Sequence, residues 1–154
     1  MRKLYQVEWH DINFEEVSEM SPKHFPGNDF YQNFYSVFNQ RYKSISDLSP
    51  DWLKLKLNAA EIVNRELAKT GSSSVLSLGV GLGVIEGALL DAQRYKIFIQ
   101  EVAPEALRFI KLRVPADKTF IGAFPECIPN GVVFDAIILG GIEYLYNNDE
   151  LSQL

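Results

Sequence analysis

The chain has 154 residues, of which 47% are hydrophobic and 23% charged, and its formal net charge is −5. That length suits one domain with a real core, and an acidic balance without a Lys/Arg cluster argues against broad contact with nucleic acid. The single cysteine, Cys127, excludes an internal disulfide, two histidines add no zinc pattern, and no apolar run is long enough to span a membrane.

The start of the chain, Met1 to Glu8, lacks the apolar stretch of a secretory signal, which points to a cytoplasmic protein. Residues 1–48 read as an N-terminal helical or lid segment, dense in aromatics and broken by Pro22, Pro26 and Gly27. Asn28 is placed to cap a helix reaching about Gln40, along which Phe30, Tyr31, Phe34, Tyr35, Val37 and Phe38 recur with helical spacing. Most of these rings read as packing. The alternative for Tyr31 and Tyr35 is a substrate pocket, where a hydroxyl adds a polar tip to an apolar wall. His10 and His24 read as surface or partly packed residues rather than as bases.

A second helix is better marked. Ser49 caps it, Pro50 suits its first position, Asp51 meets its dipole and Gly71 stops it. Leu55, Ala59, Ile62, Val63, Glu66 and Leu67 fall near one stripe, expected to pack on the sheet. Strands and helices then alternate. The first strand is Ser74 to Leu78, followed by a helix from about Gly83 to Ala92. The second strand is Ile97 to Gln100, followed by a helix from Pro104 to about Leu112. A third strand covers roughly Lys118 to Ile121, and a fourth Phe134 to Leu139 after a turn at Pro129-Asn130-Gly131. Such alternation predicts an α/β fold with a parallel sheet and right-handed crossovers, in spatial order 3-2-1-4, with ligands at the carboxyl edge where the order reverses.

The most informative stretch is Val75-Leu76-Ser77-Leu78-Gly79-Val80-Gly81-Leu82-Gly83. A strand that breaks into glycines and enters a helix brings bare backbone against a nucleotide-like ligand. The spacing is G-x-G-x-G and does not complete the dinucleotide pattern G-x-G-x-x-G, since Val84 and Glu86 stand where the next glycine would fall. The second strand runs straight into Glu101, an acid beside the glycine turn and able to accept ribose hydroxyls.

In these features the chain resembles the Rossmann-like, class I S-adenosylmethionine-dependent methyltransferases. The resemblance rests on VLSLGVGLG from Val75 to Gly83, EVAPE from Glu101 to Glu105, IGAF from Ile121 to Phe124, and FDAIILGG from Phe134 to Gly141. It implies cofactor contacts from Ser77, Gly79, Val80, Gly81, Gly83, Glu101, Val102, Ala123, Phe124 and Gly140. Two positions depart from the family pattern: Ser77 replaces the first-strand acid at the methionine end, and Ala123 replaces the Asp or Asn that meets the adenine amino group. Residues 49–154 would form the S-adenosylmethionine-binding domain. The family adds three further strands, so the expectation is an N-terminal part of that domain, ending in a helix begun at Asn148. The edge of strand four would then be covered by the N-terminal segment or by a second copy in a homodimer.

The resemblance implies in-line methyl transfer to a small-molecule acceptor, with S-adenosylhomocysteine as product, no nucleic-acid partner and no membrane. No metal is expected. The cofactor carries the reactive group, so no triad is needed. Glu143, Tyr144 and Tyr35 are the candidates for orienting or deprotonating the acceptor, with Glu143 equally readable as a solvated loop acid. The alternative is a non-catalytic binding or assembly module of methyltransferase-like fold. A nicotinamide-dependent oxidoreductase domain comes third.

Overall fold

The computed structural model describes residues 7–17 and 28–141. Its first element is a small antiparallel hairpin, β1 (Glu8–Trp9) with β2 (Ile12–Asn13), which the sequence pattern does not announce. The turn residues His10 and Asp11 have φ of 49° and 54°, the sign that matches the twist of a tight hairpin. Neither adopts that region as readily as glycine, and the turn is held from outside. The Tyr42 hydroxyl lies 2.9 Å from the His10 carbonyl and 3.1 Å from Asp11 Oδ2, while Arg41 donates to the Asp11 carbonyl.

Those two anchors end α1 (Asn28–Arg41) or follow it directly. Phe30, Phe34 and Phe38, spaced by four, are buried together with Tyr35. With Ile12, Phe14, Leu48, Leu82, Ala103 and Ala106 they form an aromatic core of their own. The expected packing role of the α1 rings is therefore what most of them perform.

The long helix α2 (Pro50–Thr70) begins and ends as its residues dictate. Ser49 accepts the Trp52 N–H at 3.4 Å, Pro50 sits in the first turn, and Gly71 stops it at φ 69°. Its buried face keeps Ala59, Val63 and Leu67 of the expected stripe and departs from it at Leu55, Ile62 and Glu66. Ala60 and Leu67 are buried and Ala59 and Val63 half-buried, but Leu55 and Ile62 are 64% and 52% exposed and Glu66 is exposed. Leu55 and Ile62 are seven residues apart and share a flank rotated off the sheet.

The central sheet contains β3 (Ser74–Leu78), β4 (Lys96–Glu101), β5 (Thr119–Ile121) and β6 (Ala136–Leu139), all parallel, in the order β5-β4-β3-β6. This is the expected 3-2-1-4 arrangement, Rossmann-like in kind. Helix α3 (Val84–Asp91) follows β3. Pro104–Phe109 forms a 3₁₀ helix, not the expected α-helix to Leu112. Its cap, Ala103, offers no side-chain acceptor, and its bonds close three residues back, as in Ile110 N–H to the Leu107 carbonyl at 3.0 Å. Strand β6 starts two residues later than expected because Asp135 is used as a clamp. Its Oδ2 accepts the N–H of Ser74 and of Ser73, each at 2.8 Å, and the Ser73 hydroxyl at 2.9 Å, and these bonds hold the carboxyl below its usual range.

One sheet face packs on α2 and α3 through Val75, Ile97, Ile99 and Ile138 against Ala60, Leu67, Ile85 and Leu89. Fully burying each Leu or Ile contributes about 1.5–3 kcal/mol. The other face, Leu76, Leu78 and Phe98, is covered by half-buried Phe120, Phe124, Ile128 and Phe134, largely from the loop between β5 and β6. Among the described residues no helix is long and apolar enough to cross a membrane.

Two outcomes are expected. Gly83 has φ 71°, and a Cβ there would stand 2.6 Å from Ile110 Cβ, whereas one at Gly131, φ 85°, meets nothing within 4 Å. Gly131→Ala should therefore cost about 1 kcal/mol in urea unfolding, and Gly83→Ala a further 1–3, roughly, for overpacking. Burial lowers the His10 pKa from 6.5 to about 4, against an opposing pull from Asp11. The unfolded chain thus binds a proton that the folded one refuses, and stability should fall as pH drops from 6.5 towards 4. His10→Phe should flatten that limb of a urea-midpoint profile.

Candidate functional site

The carboxyl ends of β3 and β4 meet at the glycine turn. Gly79, Gly81 and Gly83 all have positive φ, at 60°, 56° and 71°. Gly83 is required by the packing of Ile110, as above. At Gly81 a Cβ would stand 2.8 Å from the Tyr35 hydroxyl, so a side chain of α1 lies directly over the turn. Helix α1 is docked there by Asn39, which donates to the Glu105 carbonyl at 2.9 Å, and by Arg108, which donates to the Asn39 carbonyl at 3.0 Å.

The N–H groups of the turn are directed inward. Gly79 donates to Gln100 Oε1 at 3.1 Å, Val80 to the Gln100 carbonyl at 3.3 Å, and Gly83 to the Val80 carbonyl at 3.1 Å. Gly81 donates to Glu101 Oε2 at 2.7 Å. Glu101 is 4% exposed, and its Oε1 also accepts the N–H of Val102 at 2.8 Å and of Ala103 at 3.1 Å. Desolvation raises its pKa and the bonds from Gly81, Ala103 and Val102 oppose that rise. A carboxylate has about four lone-pair sites. Three are engaged, leaving room for one more donor.

A second carboxylate lies on the other side of the turn. Glu86, in the first turn of α3, is 3% exposed and accepts the Ser77 hydroxyl at 2.5 Å. Desolvation raises its pKa, partly opposed by that bond. The pair places an acid beside the serine of β3. Sequence reasoning noted Glu86 only as breaking a glycine pattern; the available signal was a charged residue amid the apolar run Val84, Ile85, Ala88, Leu89. Gln100 was missed too. Besides bonding Gly79, it donates to the Gly122 carbonyl, and so ties the glycine turn to the loop after β5.

The structure thus brings Ser77, Gly79, Gly81, Gly83, Glu101 and Tyr35 together. Val80 and Val102 are half-buried beside them. Ala123 is exposed, Phe124 is half-buried on the second sheet face, and Gly140 follows β6. Glu143, Tyr144 and His24 lie outside the described residues, as does the helix expected from Asn148. Cys127 is half-buried within the loop between β5 and β6, and burial pushes its thiol pKa up. Among the described residues no group of acids, histidines and cysteine is arranged to hold a metal ion.

Glu86 offers a direct test of this electrostatic reading. Its folded pKa lies above its unfolded one, so its contribution is complete below pH 4.5 and is lost as pH rises through the folded value. Glu86→Gln keeps an acceptor for Ser77 without a buried charge. Its melting temperature at pH 7 should exceed that of the parent, and the loss of stability above pH 4.5 should shrink; a lower value at pH 7 would mean that the anion is stabilising.

Compared with family models, curated proteins and solved structures, the chain matches none of them.

Proposed function

We propose that the chain binds S-adenosylmethionine at the carboxyl edge of β3 and β4 and serves methyl transfer to a small-molecule acceptor. One observation carries the reading: the bond from Gly81 N–H to Glu101, which joins a glycine turn to a strand-end acid next to the point where the strand order reverses. The remaining acceptor site of Glu101 suits a ribose hydroxyl. Ser77 with Glu86 supplies the carboxylate for the methionine end that the strand itself lacks.

The disposition of the turn also favours a nucleoside without phosphates. A pyrophosphate needs free N–H donors at a helix start, whereas four N–H groups of this turn are donated internally and an acid occupies the first turn of α3. This weighs against the nicotinamide reading.

When bound, the cofactor would supply an electrophilic sulfonium methyl group for transfer to the acceptor. The chain's residues align and enclose. Glu101 orients the ribose, the Ser77–Glu86 pair faces the amino-acid end, and Tyr35 swings off Gly81 to form a wall towards the acceptor. Glu143 and Tyr144 remain the proposed groups for orienting it. A cytoplasmic location and a second copy along the outer edge of β6 belong to the same proposal.

The non-catalytic module has its own support: Tyr35 covers Gly81, and Glu101 has three of its four acceptor sites engaged. Calorimetric titration with S-adenosylhomocysteine separates the two. Binding is expected, and Glu101→Ala should weaken it by about 1–3 kcal/mol, with the unliganded melting temperature reporting the separate loss of the three backbone bonds. Absence of heat and of thermal shift at millimolar ligand would favour the module. A shift with NADH alone would favour the oxidoreductase.

A further inference from the structure

An open cavity of about 510 Å³, in the size range of small-molecule sites, is lined by the N-terminal hairpin and the residues around the start of α2. Its walls are rings: Trp9, His10, Tyr42 and Trp52. His10 is central to them, 4.7 Å from the Trp9 ring, 4.8 Å from Trp52 and 6.1 Å from Tyr42 between centroids. Carboxylates of Glu8, Asp11 and Asp47 stand on the lining as well. We propose that this cavity is a binding site for an organic ammonium ion, held by ring faces within a border of acids. The inference does not rest on the adenosyl reading.

The physical case is the attraction of a cation to the negative face of an aromatic ring, strongest for tryptophan and used in the recognition of quaternary ammonium groups. Trp52 already displays it, with Lys56 Nζ 5.7 Å from its centroid, so a guest ammonium on that ring takes the place of the Lys56 head group. The other nearby cations already have partners. Arg41 pairs with Glu16 at 3.3 Å and the Asp11 carbonyl, and Lys43 Nζ donates to the Asn39 carbonyl at 3.0 Å. The amino end of α2 also borders the cavity, and Asp47 and Asp51 offset its partial positive charge.

Two of the acids, Asp11 and Asp47, are held in place by single oxygens. Asp11 Oδ2 is bonded to the Tyr42 hydroxyl, and Asp47 Oδ2 accepts the N–H groups of Lys43 and Ser44 at 2.9 Å each. His10 adds no repulsion. Its Nε2 is buried with no hydrogen-bond partner among the described residues, and with a pKa near 4 the ring is neutral at pH 7. The positive φ of both hairpin turn residues has a local consequence here: it is the turn conformation that brings His10 against Trp9 on one side and Trp52 on the other.

Both tryptophans of the chain are in these walls, so intrinsic fluorescence reports the cavity directly. The probes are choline, tetramethylammonium and 3,3-dimethyl-1-butanol, the neutral isostere of choline, titrated at pH 7 and at ionic strength matched with sodium chloride. The expected result is saturable quenching by the two cations, with choline about tenfold tighter than the isostere. Glu8→Gln, at an exposed position that leaves the fold intact, should weaken choline severalfold and leave the isostere unchanged. Trp52→Phe, which keeps a ring for packing, should weaken both cations. Equal affinity for choline and its isostere, no saturable response into the tens of millimolar, or indifference to Glu8→Gln would each overturn the proposal.

Discussion

The buried carboxylate of Glu101 is the constraint on which the centre of this molecule depends. It closes the end of β4 on itself through Val102 and Ala103 and reaches across to the N–H of Gly81 at the end of β3. Removing a charge of this kind from water is costly, and backbone N–H donors are what make it tolerable. The same three bonds settle where the chain goes next. One sets the glycine turn and hence the start of α3. The others send residues 103–110 back under α1, where Ala103 and Ala106 join the aromatic core.

A second carboxylate, Asp135, does comparable work at the opposite edge of β3. Glu101 joins carboxyl ends and Asp135 joins amino ends, through Ser73 and Ser74. Register in a sheet buried on both faces must be specified tightly, since a slip by one residue exchanges its faces. Here the hydrophobic alternation of Val75, Ser77 against Leu76, Leu78 is reinforced at each end of the strand by an acid. The two sheet faces differ accordingly: one is finished by helices, the other by half-buried aromatics from a loop.

Much of this was legible. The apolar run Ser74–Leu78 has the bounds read from its residues, and the alternation with Ser49, Pro50 and Gly71 as punctuation set both the long helix and the strand order. What escaped had physical causes. The hairpin turn is His-Asp, without the Asn-Gly signal that positive φ usually leaves, because Tyr42 and Arg41 hold it from another element. The inward stripe of α2 was misjudged because Leu55 and Ile62 are apolar yet lie on a flank that the described sheet does not reach. In the candidate site the glycines were legible as necessary, but not what necessitates them: Ile110 at Gly83 and Tyr35 at Gly81 are distant in sequence. Glu86 was hidden for the same reason, its role depending on a serine nine positions away across a turn.

The position of Tyr35 over Gly81 bears on how anything approaches that turn. An occupant must meet a population in which α1's side chain has moved aside, so its measured affinity is its intrinsic affinity multiplied by the open fraction. Were only one molecule in about a hundred open, binding would weaken about a hundredfold without a single contact being lost. If the turn is occupied as proposed, the Tyr35 side chain that joins the aromatic core would serve as its gate, and α1's docking through Asn39 and Arg108 would tune how often it stands ajar.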